Sequence, residues 1–248
     1  MLGRVAILVI LAVFFVQFPA EAASAKVITK GPRSSGGVAL TFDDGWGEAS
    51  CERIARTLRR EGVVGTFFIN GVHIQREPAR WRRILKGMPF ANHTQSHPNL
   101  PTVSSRTIRN QIRKNELVHE RVLGRPMVKL FRPPYGAYDS RVKRIAGQLG
   151  YRKVVLWSLS AADTSSGASV QSIIRHTTGG RPGSIILMHC ARDITAKALP
   201  SIIRHYKRRG IKMIGLDEMF GLAQAEPVKP PGPRQLIKPM LERYARTR

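Results

Sequence analysis

The chain has 248 residues, and 41 lysines and arginines against 16 acids give a net charge of +25. That length buries a full core in a single domain, and its two cysteines, Cys51 and Cys190, exclude a zinc-finger or CxxC module. A basic excess of this size favours anionic partners, yet no Arg/Gly segment or aromatic stacking motif marks a nucleic-acid binder.

In chain order, Arg4 precedes an apolar run over residues 5–18, followed by Pro19 and the small residues Ala20, Ala22, Ala23, Ser24 and Ala25. This is the pattern of an export signal over residues 1–25. The run is short for a membrane span, so cleavage is expected, with retention as a membrane anchor the alternative. Either way the remainder works outside the cytoplasm, secreted or at the cell wall. Residues 26–36, ending in Gly31-Pro32-Arg33-Ser34-Ser35-Gly36, predict a linker.

From there strands and helices alternate. The pattern predicts strands over 38–42, 63–69, 88–91, 129–132, 153–159, 184–188 and 212–214. Helices are expected over 48–60, 78–86, 104–123, 140–149, 170–177 and 196–207, with Ser104 or Ser105 capping the third and Asp139 the fourth. About seven strand–helix units argue for an α/β domain over 37–222, with parallel strands in an open sheet or a barrel. Residues 223–248 are basic and Pro-rich and predict a flexible tail.

The polar outliers share one location. Asp43 and Asp44, His93 and His97, Arg132 and Tyr135, Asp163, and His189 each fall at or just past the C-terminal end of an expected strand, the rim where barrels build sites. His93-Thr94-Gln95-Ser96-His97 spaces two imidazoles at i and i+4, which one helical turn would aim the same way. Two imidazoles and one carboxylate suit zinc or a similar divalent ion. Asp43 and Asp44 then supply one ligand and one general base, and His189 is the available proton donor. A backbone N–H near Tyr135 could meet the charge developing on the attacked carbonyl. The chemistry is metal-assisted hydrolysis of an amide or ester. His73, His119, His176 and His205 fall outside this set and read as surface or packing residues. The two cysteines read as buried, unpaired thiols. A bridge is the alternative, because Cys51 follows the acids and Cys190 follows His189.

These segments resemble the polysaccharide deacetylases, the NodB-homology domains of carbohydrate esterase family 4, over about residues 36–220. Thr41-Phe42-Asp43-Asp44-Gly45 is similar to the family's first motif, and Asn92-His93-Thr94-Gln95-Ser96-His97-Pro98 to the second. Phe131-Arg132-Pro133-Pro134-Tyr135-Gly136 resembles the third, and Leu187-Met188-His189 the fifth. The resemblance implies a distorted (β/α) barrel. It implies Asp43 as general base, His189 as general acid, and Asp44, His93 and His97 as ligands of one divalent ion, Zn2+ or alternatively Co2+. It also implies that Arg132 orients the base, that Asp163 pairs with Arg132, that the Tyr135 backbone N–H helps hold the oxyanion, and that Pro133 and Leu187 meet the substrate, Leu187 as an apolar pocket residue. Trp46 stands where the family commonly has proline, as a sugar-stacking residue or a packed rim aromatic. The expected substrate is an acetylated amino-sugar polymer, peptidoglycan or chitin-type, and the charge favours an anionic wall polymer. An O-deacetylase of acetylxylan and a non-catalytic wall-binding module are the alternatives.

Overall fold

The computed structural model describes residues 24–222, along which strands and helices alternate. β1 (Lys26–Ile28) and β2 (Gly37–Asp44) precede α1 (Glu48–Arg60), and β3 (Gly65–Ile69) leads into α2 (Gly71–Arg76) and α3 (Pro78–Ile84). β4 (Phe90–Asn92) is followed by α4 (Ser105–Leu123), β5 (Val128–Phe131) by α5 (Ser140–Gln148), and β6 (Lys153–Val155) by β7 (Leu159–Ser160) and α6 (Val170–Thr177). β8 (Ile185–His189), α7 (Asp193–Arg208), β9 (Lys212–Met213) and α8 (Leu216–Met219) follow.

The strands pair in the order β1-β6-β5-β4-β3-β2-β8-β7, with β9 also on β2, and every ladder is parallel. The sheet curls into a distorted, partly open barrel with helices outside. All eight residues of β2 are buried, as a parallel strand covered on both faces requires. Its alternation sorts the two layers. Val38, Leu40 and Phe42 join the large core under the helices, where Phe42 stacks on Phe67 at 5.2 Å. Ala39 joins the smaller interior cluster with Phe68, Ala91, Leu130 and Val155. Thr41 and Asp43 share the parity of Ala39, so β2 aims them into the barrel.

Several expectations change. The segment expected as a linker opens with β1, which pairs with β6, so residues 26–28 belong to the sheet. The acids lie inside β2, not beyond it. The strand expected over 153–159 breaks in two, because the chain crosses between sheet edges: Leu156 N–H donates to Ile28 O and Ser158 N–H to Ile185 O. The expected leader, except for Ser24 and Ala25, and the expected tail lie outside the described residues. Ser104 caps α4 and Asp139 caps α5, as their side chains accept from Thr107 N–H and Val142 N–H.

Cys51 and Cys190 form a disulfide with their Cα atoms 4.6 Å apart, in place of two unpaired thiols. The pairing follows from topology: β2 and β8 are neighbours, so the segments leaving them arrive side by side. Cross-linking residues 139 apart restricts the unfolded chain strongly. Cys51→Ala with Cys190→Ala is expected to lower stability by about 2–4 kcal/mol, measured by urea denaturation against the oxidised and the reduced protein.

α4 buries His119 completely against Phe90, with ring centroids 5.4 Å apart. Its Nδ1 donates to Asn115 O, and its Nε2 has no partner among the described residues. Burial pushes its pKa down to about 4. The imidazole is therefore neutral in the fold but protonates in the unfolded chain once pH falls below about 6.5. Stability from this group is present above that pH, falls by about 3 kcal/mol on the way to pH 4, and levels off below. A pH series of urea midpoints is expected to show this part of the fall in the native protein and to lose it in His119→Leu.

Candidate active site

Five non-glycine residues among those described have a left-handed backbone: Asp44 (φ 74°), Thr94 (68°), His97 (61°), Tyr135 (60°) and Ala162 (51°). Every one lies in or beside the polar constellation. Such conformations cost on the order of 1 kcal/mol each and persist only where the surroundings over-determine them. At Asp44 the consequence is direct. A regular strand would send adjacent side chains to opposite faces, but here both acids approach His93 Nε2, Asp44 Oδ1 at 3.5 Å and Asp43 Oδ2 at 3.8 Å. Gly47, three residues on, is also required, because a Cβ there would lie 2.7 Å from Ala191 O.

Asp44, His93 and His97 each offer one ligand atom, and the three atoms lie within 4.8 Å of one another. Asp44 Oδ1 is buried and without a hydrogen bond, 3.3 Å from His97 Nε2. The imidazoles do not come from a helical turn, as their spacing suggested. They sit in a loop after β4, folded back by the left-handed Thr94 and His97. Buried amides hold that loop: Asn70 Nδ2 donates to His93 O (2.7 Å), Asn92 Oδ1 accepts from Thr94 N–H (3.0 Å), and Asn115 Nδ2 donates to Thr94 O (2.6 Å). His93 Nδ1 lies 2.8 Å from Arg132 O, which can only accept. Nδ1 therefore carries the proton, and Nε2 turns a free lone pair toward Asp44. Burial, reinforced by His93, lowers the His97 pKa to about 4, so the His97 ring is neutral near pH 7. Burial pushes the Asp44 carboxyl up, but the neighbouring His93, with His189 and His97, outweighs it and holds the group below its ordinary value. An orphaned carboxylate oxygen facing two imidazole lone pairs fits a divalent cation.

Arg132 is wholly buried. Its Nη1 donates to Asp43 Oδ1 (2.6 Å) and Thr41 Oγ1 (2.9 Å), its Nε to Val155 O (3.0 Å) and its Nη2 to Leu156 O (3.1 Å). The guanidinium lies over the Phe68 ring at 4.1 Å, with Trp157 at 5.8 Å. Burial draws its pKa down and the Asp43 charge and hydrogen bond draw it back; an arginine stays protonated throughout. Asp43 is thus tied through one oxygen to a fixed cation.

Asp163 does not pair with Arg132, contrary to expectation. It sits across the barrel mouth, where Oδ1 accepts from His189 Nδ1 (2.8 Å) and Oδ2 from His189 N–H (2.8 Å) and Thr195 Oγ1 (2.5 Å). Burial alone would raise the Asp163 carboxyl, but the His189 and Thr195 hydrogen bonds hold it down. Burial would likewise lower His189, but Asp163 and, further off, Asp43 and Asp44 raise it above the ordinary value. His189 stands opposite Asp43 in the β2–β8 register.

At the rim, Tyr135 is 69% exposed with its ring 4.5 Å from that of His97, and Trp46 is 54% exposed with its ring 6.2 Å from the same imidazole. The two aromatics flank the cluster. Leu187 and Pro133 are buried beside it. Asn115 and Thr195 escaped the sequence reading, and Asn92 stood in its motif without a role. Asn115 did leave a signal, a polar residue in register with Ile108 and Ile112 on the apolar face of α4.

The polysaccharide deacetylase family model matches residues 30–154, half of the chain. A peptidoglycan N-acetylglucosamine deacetylase of Bacillus cereus is 35% identical over 196 residues, covering 77% of this chain and 70% of that protein. This chain belongs to the polysaccharide deacetylase family. A chitooligosaccharide deacetylase of Azorhizobium caulinodans is 32% identical over 63% of this chain and 76% of its own length. The crystal structure of the Bc1960 peptidoglycan N-acetylglucosamine deacetylase superposes with a TM-score of 0.75 at 32% identity, covering 81% of this chain and 95% of that one. The distorted barrel of the polysaccharide deacetylases is therefore the fold observed here, and the family's metal dependence agrees with the Asp44, His93 and His97 cluster.

The Asp163 pairing has a measurable consequence. In Asp163→Asn the histidine loses the charge that raises it, so the His189 imidazole is expected to titrate at lower pH, followed by NMR. An unshifted titration would show that the carboxylate does not set it.

Proposed function

We propose that this chain hydrolyses N-acetyl groups from a β-1,4-linked amino-sugar polymer, peptidoglycan or a chitin-type oligosaccharide, outside the cytoplasm. One observation carries the reading. Three neighbouring acids have three different partners: Asp44 faces two imidazole lone pairs, Asp43 a guanidinium and Asp163 an imidazole N–H. That division matches a ligand, a base and the support of an acid. The relatives' activities and the buried disulfide of an oxidising compartment agree with it.

A divalent cation held by Asp44, His93 and His97, zinc for this donor set with cobalt as an alternative, supplies Lewis acidity toward the acetyl carbonyl and toward water. Asp43 takes the proton of the attacking water, and Arg132 holds the carboxylate in place. The Tyr135 N–H, turned by its left-handed backbone, meets the developing oxyanion. His189, protonated at both nitrogens, hands its Nε2 proton to the sugar nitrogen as the C–N bond breaks, and Asp163 stabilises the imidazolium until then. Acetate and a free amine leave. Pro133 and Leu187 border the methyl group, and Trp46 and Tyr135 border the sugar.

Acetate release from peptidoglycan, chitin oligomers and acetylxylan, with chelator and with added zinc or cobalt, tests the proposal. Activity is expected on the first two, lost with chelator and restored by metal. Asp43→Asn is expected to keep metal content and lose about 10²–10⁴ in kcat, whereas Asp44→Ala and His97→Ala lose the metal itself. Full activity in Asp43→Asn, or unchanged metal content in Asp44→Ala, sinks the assignment.

A further inference from the structure

Beside the barrel mouth, α1 and α7 enclose a trough of about 530 Å³ that the reaction does not use. Arg53, Arg56 and Arg60 line it from α1, and Lys197 faces them from α7. Asp193, the sole acid in the lining, opens α7. A second hollow of about 500 Å³ shares Asp193 and Lys197 and continues to Arg192 and Ala191, just past His189 and Cys190. The two together form one path from the catalytic rim down the outside of the barrel.

Its charge is not compensated within the described residues. Arg53 and Lys197 both pair with the same carboxylate, Asp193. Arg60 has only a 3.6 Å approach to Glu61, and Arg56 has no hydrogen bond or ion pair among the described residues. The arginines repeat at helical spacing, so Arg53 to Arg60 span about 10 Å on one face of α1. The disulfide and the α1–α7 packing fix both walls. A preformed row of guanidinium forks presents paired donors that match planar carboxylates.

We propose that this trough binds the carboxylates carried by the polymer being deacetylated, a second contact that follows the glycan away from the cleavage point. The proposal rests on the deacetylase reading for its substrate. It makes the chain selective for an amino-sugar polymer bearing acidic substituents over a neutral one of the same sugars. The contact is electrostatic and exposed, so it weakens as salt rises.

The test uses Arg56→Glu with Arg60→Glu, two exposed positions outside the catalytic cluster, on two substrates: peptidoglycan glycan strands with free stem-peptide carboxylates, and neutral chitooligosaccharides. KM on the acidic strands is expected to rise about tenfold at low salt, with kcat unchanged and no effect on the neutral oligomer. Amidating the carboxylates should raise the native KM and remove the difference between native and variant. Equal kinetics of native and variant on the acidic strands overturn the proposal, as does an equal loss on both substrates. Should neither substrate be turned over, the deacetylase reading fails, and cosedimentation with the acidic and amidated strands still decides the trough. Native protein that binds amidated strands as well as acidic ones, or that is displaced only by a phosphodiester polymer, also overturns it.

Discussion

The contact between Arg132 and Asp43 organises the site. Taking a guanidinium out of water costs several kcal/mol, which the attraction to one carboxylate rarely returns. Here the loss is offset by three further acceptors and an aromatic face beneath the charge. A lysine could not replace it, since a single ammonium cannot reach acceptors on β2, on β6 and beyond it from one planar group. The same residue also serves through its main chain, because its carbonyl fixes the His93 tautomer. One position therefore holds the proposed base with its side chain and a proposed cation ligand with its backbone, and the two stay in register with each other.

Differentiation of like groups is the second theme. Asp43, Asp44 and Asp163 are chemically identical and similarly buried. What separates them is the neighbour: a permanent cation, neutral imidazoles, or an imidazole N–H. The histidines divide in the same way. His97 is driven neutral by burial, while His189 holds its proton because Asp163 outweighs burial. The overall charge of +25 sets none of this, since these differences arise within a few ångströms.

The site residues were legible because each was a polar residue at a strand end, where an apolar pattern stops. The alternation along β2 also identifies Asp43 as inward-facing once the strand is recognised. Pairing was less legible. The expected pairing of Asp163 with Arg132 came from the family resemblance alone; which partner each takes depends on how far the sheet curls before β7 joins β8. The two imidazoles at i and i+4 suggested a helical turn, yet spacing alone cannot register the left-handed residues that fold a loop to the same effect. The disulfide stood only as the alternative for a similar reason: residues 139 apart become neighbours only through β2–β8 adjacency. Thr195 looks unremarkable in a helix until the carboxylate it serves is in view.

The left-handed non-glycine residues carry an implication for how this chain can change. At Ala162 the side chain is a single methyl, and a glycine would relax the backbone; at Thr94 it would also remove the hydroxyl that accepts from His97 N–H. Elsewhere in a protein, relief of this kind is an ordinary route to a more robust variant. Here it would loosen the loops that carry His93, His97 and Asp163. Selection for thermal robustness and selection for turnover therefore act in opposite directions on the same few codons, and improved stability must come from the helices and the outer face of the barrel.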